Sequence, residues 1–197
     1  MSSGSVIEVE GLTFTFPEGW RIWKYDDWSF YRNQFQSAFG GAAAVDLIDL
    51  DPRGHLWLIE AKNYRRHQRT NPEELSDEVA RKVRDTLAAI LPASLHANDE
   101  QERGAAKALL FAKKLHVVLH LEQPVQQSRL HPQVADPAKL QFQLRQKGCL
   151  RGVDVRARVT GKELPISTFN ARGAARGLRD IAMRPGSVDR GWQGRSP

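Results

Sequence analysis

The amino-acid sequence predicts an α/β protein: one mixed sheet with helices on its faces. Two apolar runs, 43–50 and 55–62, flank the turn Asp51-Pro52-Arg53-Gly54. Leu75, Val79, Val83, Leu87 and Ile90 recur at helical spacing. The elements also alternate in type along the chain, in the order strands, helix, hairpin, helix, helix, strand, helix, strand.

Residues 6–16 alternate around Gly11 and predict a hairpin, and 20–25 predict a further strand. Asp26 or Asp27 can cap a helix through about Phe39, stopped by Gly40 and Gly41. In the next turn Pro52 sets φ and Gly54 accepts a positive φ, which closes a hairpin. Its strands are nearly continuous in apolar residues, so both faces are covered and the hairpin is central. Asn71-Pro72-Glu73-Glu74 carries a helix start, with Asn71 as cap, and the apolar stripe runs to Pro92. A second helix is expected over 99–113 and a buried strand over 115–121. Asp136-Pro137 begins a helix, although Leu140, Phe142 and Leu144 also fit a strand. Val153, Val155, Ala157 and Val159 alternate as a late strand. Residues 1–165 are expected to form the domain, and 166–197 a basic, flexible tail.

The chain has 197 residues, 41% hydrophobic and 26% charged, the composition of a soluble globular protein. No run approaches the ~20 apolar residues of a membrane span. The apolar stretch 14–20 holds Pro17, Glu18 and Gly19, so no secretory signal is expected. A single cysteine, Cys149, excludes an internal disulfide and a multi-cysteine zinc site. A reducing cytoplasm fits, with Cys149 a buried thiol or a spectator. Residues 145–197 carry 12 basic and 4 acidic side chains, against 17 and 19 in 1–144. That asymmetry points to a polyanionic partner such as nucleic acid, or to a solubilising tail.

The chemistry concentrates on the central hairpin. Glu60 and Lys62 project from one face of their strand while Ala61 points the other way. The hairpin brings Asp46 beside them. Two carboxylates and an ammonium at one end of an apolar sheet must pair, bind an ion or face a cleft. Two such carboxylates suit Mg²⁺, and the Ala61 carbonyl can add a ligand. A bound metal acidifies water and stabilises charge on a phosphate oxygen. Lys62 can orient or help deprotonate that water and neutralise the phosphorane, which together make a phosphodiester hydrolase. The alternative is a structural salt bridge of Lys62 with Asp46 or Glu60.

Asp46, a gap of 13 residues, then Glu60-Ala61-Lys62 resembles the PD-(D/E)xK nuclease superfamily over roughly Trp20 to Leu121. The resemblance implies a restriction-endonuclease-like α/β/α sandwich with a central mixed sheet. It also implies a Mg²⁺-dependent (or Mn²⁺-dependent) nuclease, acting on DNA rather than RNA, in repair or defence. Asp46 and Glu60 become metal ligands and Lys62 the catalytic lysine. Asp27, with Asp26 next, is the candidate acidic residue from the preceding helix. Glu78 or Lys82 of the following helix can add a polar group. Val45 stands where the superfamily has proline. Partners implied are nucleic acid and either a second copy, as a homodimer, or a larger complex in which the fold is a silent binding subunit.

Tyr64, Arg65, Arg66 and Arg69 leave the catalytic strand and either grip phosphates and stack a base or pair with the acidic helix start at Glu73 and Glu74. Asp49, of opposite strand parity to Asp46, and Asp51, at the turn, are expected at the surface. His116 and His120 lie about 13 Å apart on a strand, too far for one zinc ion, and are expected as packed or surface residues.

Overall fold

The computed structural model describes residues 5–65, 69–123, 135–160 and 168–170. A five-stranded sheet runs in the order β3 (Arg21–Lys24), β4 (Leu47–Leu50), β5 (His55–Asn63), β6 (Lys114–Glu122) and β7 (Asp154–Thr160). The β3–β4 and β4–β5 pairs are antiparallel, while β5–β6 and β6–β7 are parallel, so the sheet is mixed as expected. A smaller sheet contains β1 (Ser5–Val9), β2 (Leu12–Phe16) and β8 (Thr168–Asn170).

Parallel strands need crossovers, and these supply the helices. α1 (Leu75–His96) and α2 (Glu100–Leu110) join β5 to β6, and α3 (Pro137–Gln146) joins β6 to β7. Both crossovers step in the same direction across the sheet. Right-handed connections then place every crossover helix on one face. The packing agrees: Ile48, Leu56, Leu58, Val117, Leu119 and Val155 pack with residues of all three helices. The alternate side chains Leu47, Trp57, Ile59, Ala61 and Val118 pack instead with Leu12, Phe14 and Phe16. Among the described residues the second face is therefore covered by strands, where the restriction-endonuclease-like sandwich leads one to expect helices.

Local chemistry explains where the boundaries moved. The β1–β2 turn uses positive φ at Glu10 and Gly11, and Asn63 Nδ2 donates to the Glu10 carbonyl at 3.0 Å, tying this hairpin to β5. The single helix expected from Asp26 to Phe39 is broken into a 3₁₀ turn at Tyr25–Asp27, a π-helical turn at Tyr31–Phe35 and a second 3₁₀ turn at Ala38–Gly40. Glu102 of α2 holds this segment, its two carboxylate oxygens accepting from the Ser29 and Phe30 N–H groups at 2.6 and 2.9 Å. α1 starts four residues after Asn71, because the Asn71 side chain accepts from Glu73 N within a local turn and donates to Glu78 instead of capping. It also runs past Pro92 to His96. α2 and α3 begin as expected, with Asp99 and Asp136 as caps. Asp136-Pro137 opens a helix, which settles the choice against a strand.

The expectations for Asp49, Asp51 and Cys149 are corrected here. Asp49 and Asp51 are buried, at 0% and 4% exposure. Asp51 turns inward to accept from the N–H groups of Arg53 and His55, both at 2.9 Å, so the turn itself uses the carboxylate. Asp49 packs toward the strand-covered face with neither oxygen hydrogen-bonded. Cys149 is exposed, which removes the buried-thiol reading. Within the expected tail, 168–170 pairs in parallel with β2, and the other tail residues lie outside the described residues. No described helix is long and apolar enough to cross a membrane.

Burial holds the Asp49 carboxyl well above its ordinary pKa. A raised carboxyl binds its proton more tightly when folded, so its contribution to stability falls as pH rises above the unfolded value. Asp49→Val should therefore stabilise the fold by about 1–3 kcal/mol, more at pH 8 than at pH 5. Urea unfolding at the two pH values measures this, and a loss of stability at pH 8 would contradict it.

Candidate active site

Asp46 stands at the entrance to β4, and four hydrogen bonds fix it and the segment before it. α1 holds the preceding strand segment: Asp85 Oδ2 accepts from Ala43 N at 3.0 Å and Thr86 Oγ1 from Val45 N at 3.1 Å. The Asp46 carbonyl accepts from Tyr25 N at 3.3 Å. The Asp46 side chain reaches across the hairpin, where Oδ2 accepts from Ala61 N at 2.7 Å. Ala61 thus enters the site through its N–H, and its methyl packs on the opposite face.

Glu60 and Lys62 project toward the helix face, as their strand parity requires. α1 completes the site from above with Glu78 and Lys82, four residues apart and on one helical face. Glu60 Oε1 lies 3.0 Å from Lys62 Nζ and 2.6 Å from Lys82 Nζ. Lys62 Nζ also lies 2.8 Å from Glu78 Oε1, and Lys82 Nζ 3.8 Å from Asp46 Oδ1. Arg69 and Asn71 hold Glu78 through its Oε2 at 2.9 and 3.0 Å. Three carboxylates face three cations, so the partly buried cluster balances its charge, which such a site requires. The Asp46, Lys62 and Lys82 side chains keep 13, 16 and 18% of their surface exposed, whereas that of Glu60 keeps 1%.

Burial sets the protonation states. It pushes the Glu60 carboxyl up to about 7, and the Asp46 charge adds to this against the opposing pull of Lys82 and Lys62. Burial also raises Asp46. For Lys62, burial works against the ammonium, but Glu60 and Glu78 outweigh it and hold its pKa well above the usual lysine value. Lys62 is accordingly a fixed positive charge in this arrangement.

Two oxygens of the acidic pair have spare capacity for a cation. Glu60 Oε2 is buried without a hydrogen-bond partner, and Asp46 Oδ1 has Lys82 only at 3.8 Å. Hard carboxylate oxygens of this kind fit Mg²⁺ or Mn²⁺, which keep waters and take few protein ligands. Among the described residues, no group of three or more His, Cys, Asp or Glu is arranged to hold a metal.

The other sequence candidates divide. Asp27 is exposed and pairs with Arg32, whereas its neighbour Asp26 is the one that adds to the raised pKa of Asp46. Tyr64 is half-buried against the helix-side core, and Arg65 bonds Asn63 Oδ1 through Nε at 3.0 Å. Arg69 turns inward to Glu78 and to the carbonyls of Asn71 and Glu73. Arg66 lies outside the described residues. His116 and His120 are buried on the face opposite the site, His116 stacked on Trp57 with ring centroids 4.0 Å apart. The convergence of Glu78, Lys82 and Arg69 on the strand residues was the part hardest to read in advance. Its sequence signal is the pair of charges spaced four apart on the same helix as the apolar stripe.

A carboxyl raised to about 7 favours the folded state while protonated, so this contribution is lost as pH rises from 4.5 through 7. The protein should lose stability over that window. Glu60→Gln should flatten the loss and raise the denaturation midpoint at pH 8, as followed by circular dichroism. An unchanged pH slope in the variant would show that Glu60 does not titrate there.

Three comparisons bear on kinship. The chain is 32% identical over 166 residues to a cysteine–tRNA ligase from Neisseria meningitidis, an alignment covering 69% of this chain and 24% of the ligase. It thus spans about a quarter of that relative's length. No family model matches the sequence. No solved structure matches it.

Proposed function

We propose that the chain is a metal-dependent nuclease that hydrolyses phosphodiester bonds, with DNA as its substrate, in repair or defence. The observation carrying this reading is the convergence of Asp46, Glu60 and Lys62 at one end of the central sheet, with Glu60 Oε2 buried and unpartnered. The likeness of Asp46 and Glu60-Ala61-Lys62 to the PD-(D/E)xK motif supports it, as does a mixed α/β fold with the motif on its central hairpin. Asp46 and Glu60 would hold Mg²⁺ or Mn²⁺. When bound, the ion supplies Lewis-acid stabilisation and a more acidic water. The chain's residues do the rest. The Ala61 N–H orients Asp46, and Glu78, itself held by Arg69 and Asn71, positions Lys62. The Lys62 ammonium presents a permanent positive charge to the phosphoryl oxygens as negative charge grows there.

The likeness to a quarter of a tRNA ligase favours a second reading, in which the fold is a catalytically silent module that binds nucleic acid within a larger assembly. The same assay separates the two. With Mn²⁺ or Mg²⁺, the protein should nick duplex or single-stranded DNA, chelator should stop it, and Lys62→Ala should slow it at least about 10²-fold while leaving the circular dichroism unchanged. Binding of DNA or tRNA without cleavage under any metal would favour the silent module. Cleavage confined to tRNA would keep the nuclease and replace its substrate.

A further inference from the structure

We propose that Lys82 is a built-in competitor for the metal ion, its ammonium holding the place between Glu60 and Asp46 that a divalent cation would take. The inference rests on the nuclease reading, since it concerns the same two carboxylates.

The two lysines of the site are held differently. Lys62 is anchored on both sides, by Glu60 at 3.0 Å and by Glu78 at 2.8 Å. Both oxygens of Glu78 are engaged, Oε1 by Lys62 and Oε2 by Arg69 and Asn71, which keep it in place. Among the described residues, the ion pairs of Lys82 go only to the two prospective ligands, Glu60 at 2.6 Å and Asp46 at 3.8 Å. An ion coordinated by both carboxylates would sit about 2.1 Å from their oxygens, within a few ångströms of the Lys82 ammonium. Repulsion between the two cations in a half-buried site is strong. One of them must leave, and among the described residues Lys82 has no ion pair beyond these two carboxylates, so it is Lys82 that gives way.

Its exit is open. Lys82 rises from α1 on a four-carbon stem, and 18% of its side-chain surface is already exposed. The metal-free protein thus keeps Glu60 and Asp46 neutralised by a residue of its own, which avoids the cost of two adjacent unpaired carboxylates. The same residue lowers the affinity for metal. Lys82 is a positioning residue in this scheme, acting through the carboxylates.

Titration calorimetry with Mn²⁺ tests it, using the full chain, Lys82→Met, Lys82→Gln and Lys82→Arg, each checked for folding by circular dichroism. Both neutral variants should bind Mn²⁺ about ten-fold or more tightly than the unaltered protein, and Lys82→Arg should not. Adding Asp46→Asn should abolish the tightened binding. Lys82→Gln retains a hydrogen-bond donor and gives the answer if Lys82→Met does not fold. If the unaltered protein binds Mn²⁺ and the neutral variants bind equally or less tightly, the competition is refuted and the nuclease reading stands. If no variant binds Mn²⁺, both fall together.

Discussion

A carboxylate with almost no access to water dominates this molecule. Glu60 is 1% exposed and accepts from two ammonium groups through one oxygen while the other finds no partner. A charge so placed is tolerable only if compensated, and every nearby element contributes to that compensation. β5 supplies Lys62 and α1 supplies Lys82. Glu78 prevents the two cations from overcharging the site, and Arg69 and Asn71 prevent Glu78 from drifting. The position of α1 over the sheet is consequently set by ion pairs at this end as well as by the apolar stripe along its length. The hydrogen bonds from Ala43 and Val45 to Asp85 and Thr86 extend the same clamp to the strand that carries Asp46.

The two faces of the sheet have correspondingly different tasks. Strand parity sends Asp46, Glu60 and Lys62 to the helical face. Their immediate neighbours Leu47, Ile59 and Ala61 go to the face covered by β1 and β2. On that second face His116 lies flat on Trp57 and bonds Asp154 at 3.0 Å, and Asp49 is buried with neither oxygen hydrogen-bonded. A one-residue slip of β4 against β5 would exchange the faces and scatter the charged cluster. The turn at Asp51–Gly54 fixes that register. Asp51 accepts from the backbone on the far side of the turn, and Gly54 adopts φ 80°, a conformation costly for any side chain.

Much of this was legible because it depends on local chemistry. The central hairpin, the start of α2 and the shared parity of Glu60 and Lys62 follow from residue spacing and turn composition, whereas for α3 spacing left helix and strand open and the Asp136 cap decides it. The broken helix at 25–40 was not legible, because Glu102, more than 60 residues away in sequence, stabilises its N-terminal backbone. Nor was the late start of α1, where Asn71 spends its side chain on Glu78 and a local turn. Asp51 looked like a surface residue because turns commonly are, yet its carboxylate serves the turn from inside.

The sequence by itself determined which side chains share a face of each strand and helix, since those periods are properties of the backbone. It therefore determined that Asp46, Glu60 and Lys62 could meet. Only the tertiary structure decided what covers them. Both parallel crossovers advance the same way across the sheet, and handedness then puts the three described helices on the charged face, while among the described residues strands cover the other. That arrangement brought Glu78 to Lys62 and Lys82 to Glu60 and Asp46, contacts that packing of α1 on the sheet decides and that residue spacing only suggests.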